Sequence, residues 1–138
     1  MGVVCLVRSI LIAEDFEDDA LLFKRMLKKC GIENPVHVVS TAADALAYLD
    51  DRNNPCPGII FVDLRMPGMT GLELISKLKA RPDCADVLLF VVSGHDNLER
   101  VRESYALGAN SFVSKPVRPA DVENLIQGFP RHWVRVHS

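Results

Sequence analysis

Short runs of uninterrupted apolar residues, each followed by a stretch of helical periodicity, limit what this chain can fold into. Ile59 to Val62 and Val87 to Val92 carry no polar/apolar alternation. Strands of that kind are buried on both faces, as in a parallel sheet. Five strands are predicted: Ser9 to Ala13, Pro35 to Val39, Gly58 to Val62 running into Asp63, Val87 to Val92, and Ser111 to Val113. Between them lie amphipathic segments. Phe16 to Cys30 places Ala20, Phe23, Leu27 and Cys30 on one side, with acids in its first turn and lysines in its last, the order a helix dipole favours. Thr41 caps a helix through Leu49, and a third runs from about Gly71 to Ala80 on Leu74, Ile75 and Leu78. Leu98, Val101 and Tyr105 give a fourth helix its apolar face. Pro119 opens the last, with Val122, Leu125, Ile126 and Phe129 inward. Strands alternating with helices in this way require an open, doubly wound parallel sheet with helices on both faces.

At 138 residues one domain is expected, with a core over about 9–129 and a tail over 130–138. No output domain is expected beyond the last helix. With 16 basic and 18 acidic side chains, the net charge of −2 lacks the cationic excess of a nucleic-acid binder. No apolar run approaches the roughly 20 residues of a membrane span. Val3 to Ala13 is broken by Arg8-Ser9 and has no cleavage signature, so it reads as a buried strand and not a signal peptide. Cys5, Cys30, Cys56 and Cys84 form no CxxC pair, which suits free thiols in a reducing compartment, the cytoplasm.

Ligands of such sheets bind beyond the carboxyl ends of the strands. Here those ends carry Glu14-Asp15, Asp63, Ser93 and Lys115-Pro116. Each alone has an ordinary explanation: Asp63 as a turn or cap residue, Glu14-Asp15 as a solvated helix start, Ser93-Gly94 as a turn, Lys115 as a surface lysine. Together at one edge they form an oxygen-rich site suited to a hard cation such as Mg²⁺, with a lysine and a hydroxyl to meet a phosphoryl group. An aspartate can itself be the nucleophile that receives phosphate.

The ordered set resembles the receiver domain of two-component response regulators over roughly Ile10 to Phe129. The matching features are Glu14-Asp15, the strand into Asp63 followed by Leu64-Arg65-Met66-Pro67-Gly68-Met69-Thr70-Gly71, Ser93-Gly94, and Phe112-Val113-Ser114-Lys115-Pro116. The resemblance implies a flavodoxin-like sheet in strand order 2-1-3-4-5 and a signalling relay. Asp63 would accept phosphate from a histidine kinase or phosphotransfer protein. Glu14, Asp15, Asp63 and the carbonyl of Arg65 would hold Mg²⁺, Lys115 and Ser93 would contact the phosphate, and Phe112 would swing inward with Ser93. The chain would turn over no external metabolite and would signal through protein partners. The acid-rich run from Glu14 to Asp19, Asn34-Pro35-Val36 and Ala45 to Leu49 also resemble stand-alone receivers that partner phytochrome-type kinases, which often form homodimers.

Two departures stand out: Glu14 where aspartate is more usual, and Phe16 where a polar residue is frequent, giving the site an apolar mouth. Arg65 and His95 are expected on exposed loops from which they could tune hydrolysis, and the Lys115-Pro116 bond is expected cis. The alternatives fit less well. A binding or scaffold module that dispenses with phosphorylation usually lacks the acceptor, the lysine or the acidic pair. An aspartate phosphatase usually has a second aspartate where Arg65 stands, and a dinucleotide binder needs a Gly-rich turn where Glu14-Asp15 stands. At the C-terminus Phe129 and Trp133 lie four apart across Pro130. Phe129 is expected to close the core while the tail frays; otherwise Trp133 packs on the last helix or on a second copy.

Overall fold

In the computed structural model, which describes residues 8–94 and 98–135, the elements alternate as the apolar pattern requires. They are β1 (Ser9–Ala13), α1 (Glu17–Lys29), β2 (Val36–Val39), α2 (Ala42–Asp50), β3 (Pro57–Asp63), α3 (Gly71–Lys79), β4 (Leu88–Ser93), α4 (Leu98–Ala106), β5 (Ser111–Ser114) and α5 (Pro119–Gly128). Short 3₁₀ turns at Pro82–Cys84 and Pro130–His132 complete them. The strands are all parallel, in the order β2-β1-β3-β4-β5. This is the flavodoxin-like arrangement that the family resemblance implied. No helix among the described residues is long and apolar enough to cross a membrane.

Alternate side chains of the central strands feed two separate cores. Ile10, Ile12, Phe61 and Phe90 face α1 and α5, where they meet Phe23, Leu27, Val122 and Leu125. Leu11, Ile60, Val62 and Val91 face the other way, against α2, α3 and α4. A strand's period of two sends neighbours to opposite faces, so an uninterrupted apolar run is what a double-sided core demands. Thr41 caps α2 by accepting from the Asp44 N–H, as its position suggested. Thr70 and Glu73 close a reciprocal capping box at the start of α3.

On α4 the inward face differs from the expected one. Val101 and Ser104 are buried, whereas Leu98 and Tyr105 are about half exposed. The Ser104 hydroxyl donates to the Val101 carbonyl at 2.6 Å. That local bond satisfies the hydroxyl and lets a polar residue sit where an apolar one was expected.

The tail differs too. Trp133 is buried in the α1–α5 core, its ring parallel to Phe90 with centroids 6.3 Å apart. Buried Asn34 holds the tail in place: its Nδ2 donates to the carbonyls of Arg8 (2.8 Å) and His132 (3.1 Å), and its Oδ1 accepts from Val134 N–H (2.7 Å). Glu33 N–H donates to the Val134 carbonyl at 2.7 Å, and Arg135 pairs with Glu123 of α5. The tail folds back because Asn34 gives its backbone partners and the core gives its indole a site. Cys30, Cys56 and Cys84 are free thiols; Cys5 lies outside the described residues.

Candidate functional site

Strand register brings the polar ends into line. Ala13 pairs with Val62, Asp63 with Val92, and Ser93 with Ser114. The residues that follow or close these strands therefore meet at one edge. Glu14, Asp63 and Ser93 are buried there, while Asp15 is exposed. Lys115 reaches in from the end of β5. Its backbone N–H donates to the Ser93 carbonyl at 2.8 Å, and the Lys115-Pro116 bond is cis, as anticipated.

The Lys115 ammonium contacts three carboxylates: Asp63 Oδ2 at 2.7 Å, Glu14 Oε1 at 2.8 Å and Asp19 Oδ2 at 3.1 Å. The other Asp63 oxygen accepts the Arg65 backbone N–H at 2.9 Å. Glu14 Oε2 accepts Phe16 N–H at 3.2 Å. One oxygen from each of Glu14, Asp15 and Asp63 lies within 4.8 Å of the others. Three convergent carboxylates form the hard-oxygen donor set that a divalent cation of the Mg²⁺ type accepts.

Burial first, and then a hydrogen bond with Asp63, push the Glu14 carboxyl up to about 8. Burial disfavours the Lys115 ammonium, but its bonds to Asp63 and Glu14 outweigh that and raise its pKa above the usual lysine range. Lys115 is thus a fixed positive charge beside Asp63.

Two glycines shape the loop after β3. Gly68 has φ +75°, a turn conformation that L side chains rarely adopt. A Cβ on Gly71 would stand 2.6 Å from the Asp63 carbonyl oxygen and 2.7 Å from Leu64 Cα. Only glycine allows α3 to start against the backbone that carries Asp63.

The structure gathers Glu14, Asp15, Asp63 and Lys115 at one point, with Ser93 at the adjoining strand end. Arg65 is exposed, and its backbone is tied to Asp63. Phe112 is half-buried against the α2–α4 core. Phe16 is 57% exposed, so the mouth is apolar as expected. His95 lies outside the described residues.

Sequence reasoning gave Asp19 no place in the site, reading it as a favourable charge in the first turn of a helix and as part of an acid-rich run. The usable signal was direction: side chains on a first turn lean toward the helix N-terminus, here toward the end of β1. Beside Lys115 a cleft of about 350 Å³ is walled by Leu22, Phe23, Met26, Pro116 and Val117, with Glu14 and Asp19 also lining it. A larger groove of about 1060 Å³ lies at the far end of α1. Of the two, only the smaller is lined by residues of the site, namely Glu14, Asp19 and Lys115.

Comparison with known proteins agrees with this geometry. The sequence pattern of a family described as "Response regulator receiver domain" matches residues 10–127. Response regulator Rcp1 of Synechocystis sp. is 28% identical over 131 residues, covering 92% of this chain and 89% of Rcp1. Two-component response regulator ARR5 of Arabidopsis thaliana is 34% identical over 125 residues, covering 84% of this chain and 67% of ARR5. Among solved structures, the bacteriophytochrome response regulator RtBRR superposes with a TM-score of 0.83 at 27% identity. That match covers 96% of this chain and 83% of RtBRR.

Proposed function

Because the chain belongs to the response regulator receiver family, we propose that it accepts a phosphoryl group on Asp63 and relays it as a signal. The observation that carries this reading is the meeting of Asp63 and Lys115 at 2.7 Å, inside a cluster of three carboxylates. An Asp63 oxygen attacks the phosphorus of a phosphohistidine on a sensor kinase or phosphotransfer protein. The O–P bond forms as the N–P bond breaks, and the imidazole leaves with the electron pair. Lys115 holds phosphoryl oxygens by charge, and the Ser93 hydroxyl donates to another. Drawing Ser93 inward leaves room for Phe112 to follow. The carboxylates of Glu14, Asp15 and Asp63 and the carbonyl of Arg65 would hold Mg²⁺. When bound, that ion offsets the negative charge of the phosphoryl group.

Similarity to RtBRR, a bacteriophytochrome response regulator, supports a phytochrome-type kinase as the donor. The expected location is the cytoplasm. Output passes to protein partners, not nucleic acid, through the side formed by α4 and α5, where Leu98 and Tyr105 stand exposed. A homodimer is proposed on the same side. Sedimentation of the phosphorylated chain is expected to give twice the monomer mass, and a monomer at high concentration would remove the dimer.

The deciding experiment is incubation with Mg²⁺ and acetyl phosphate, read by intact mass. A gain of about 80 Da, the mass of HPO₃, located on Asp63, is the expected result. No gain would leave a receiver-like binding module that works without phosphorylation.

Metal binding is separately testable. Because the cation binds the folded cluster and not the unfolded chain, Mg²⁺ should raise the melting temperature along a saturable curve. Asp15→Ala should flatten that curve. An undiminished rise in the variant would place the ion elsewhere.

A further inference from the structure

A lysine ammonium has three N–H donors and no acceptor. In this structure Lys115 faces three carboxylates, so its donors are fully engaged. Two of those partners, Glu14 and Asp63, are buried at strand ends and belong to the cation cluster. The third, Asp19, comes from the first turn of α1 and stands outside that cluster. Its contact, 3.1 Å, is the longest of the three, and its side chain is 36% exposed.

We propose that Asp19 is a positioning residue that engages the Lys115 ammonium against an incoming phosphoryl group and thereby restrains phosphorylation of Asp63. The inference rests on the phosphoacceptor reading of Asp63 given above. A phosphoryl oxygen that seeks Lys115 must displace one acceptor. Asp63 is the attacking group, and Glu14 is buried beside it, so Asp19 is the partner released most easily. Until then it competes for the ammonium. Its charge also opposes an anionic donor entering the cleft that Asp19 lines together with Glu14 and Lys115. An ordinary surface ion pair would contribute little. Asp19 differs because its cation is the one beside the phosphoacceptor.

Two measurements on the full chain test the assignment, using Asp19→Asn and the charge-retaining Asp19→Glu. Hydrogen exchange of the Lys115 ammonium, followed by NMR without any phosphodonor, is expected to quicken at least about threefold in Asp19→Asn. Unchanged exchange would overturn the proposal whatever the phosphorylation chemistry. Phosphorylation by acetyl phosphate at saturating Mg²⁺ comes second. In that reaction the Asp63 O–P bond forms, the acyl O–P bond breaks and acetate departs with the electron pair. Its rate is expected to rise about three- to tenfold in Asp19→Asn, the effect of removing one charge a few ångströms from the reacting group. Asp19→Glu should stay near wild type. A merely structural role would slow the reaction, so an equal or slower rate in Asp19→Asn overturns the restraint alone. Responsive exchange with no uptake by any variant, wild type included, overturns the phosphoacceptor reading and the restraint together.

Discussion

Asp63→Asn is expected to reduce phosphoryl uptake from acetyl phosphate to background, with no adduct of about 80 Da under conditions that saturate the wild type. The amide nitrogen and carbonyl keep the shape of the side chain, yet no carboxylate oxygen remains to attack phosphorus. Folding should survive. The carbonyl of the introduced amide can still accept from Lys115 or from the Arg65 N–H, the two donors that hold Asp63 now. Two effects on stability oppose each other. The substitution weakens the 2.7 Å ion pair with Lys115, and it relieves the crowding of Asp63 against Glu14. Each is worth on the order of 1 kcal/mol, so the melting temperature should move by only a few degrees. Uptake at the wild-type rate in Asp63→Asn would remove Asp63 as the acceptor.

The largest effect on stability is expected at Trp133, a residue from which sequence analysis expected little. Trp133→Ala should cost about 3 to 5 kcal/mol, the usual range for emptying a large aromatic site. The indole lies against Phe61 and Phe90 in the core shared by α1 and α5. In urea the unfolding midpoint should fall with little change in slope, because the surface exposed on unfolding is nearly the same. Trp133→Phe should recover most of the loss. The indole Nε1 is buried without a hydrogen-bond partner among the described residues, so replacing it removes a desolvated donor along with some volume. An unchanged midpoint in Trp133→Ala would mean that the tail contributes nothing to the core.

The start of β1 and the cap of α2 were readable because they depend on neighbours in the chain. An apolar run and a threonine before a helix each act within a few residues. Glu14, Asp15, Asp63, Ser93 and Lys115 were readable as a site because topology alone carries strand ends to one edge. The α4 face was misjudged because the hydroxyl of Ser104 is satisfied one turn back, which hydropathy does not record.

Three features required the folded chain. Asp19 and Lys115 are separated by 96 residues, and only the folded chain brings the first turn of α1 to the ammonium. Asn34 reaches the backbone at Arg8, His132 and Val134, three points that no local pattern connects. Trp133 packs inside because Pro130 ends α5 and turns the chain back toward α1, where Asn34 receives it. The period and order of apolar residues determined a doubly wound parallel sheet and the edge where its chemistry gathers, since strand and helix faces must be buried against one another; the strand order was implied only by the family resemblance. Which carboxylate shares the lysine, and whether the tail is core or surface, was decided only by tertiary packing. Those contacts depend on distances between elements, and a linear sequence carries no such distances.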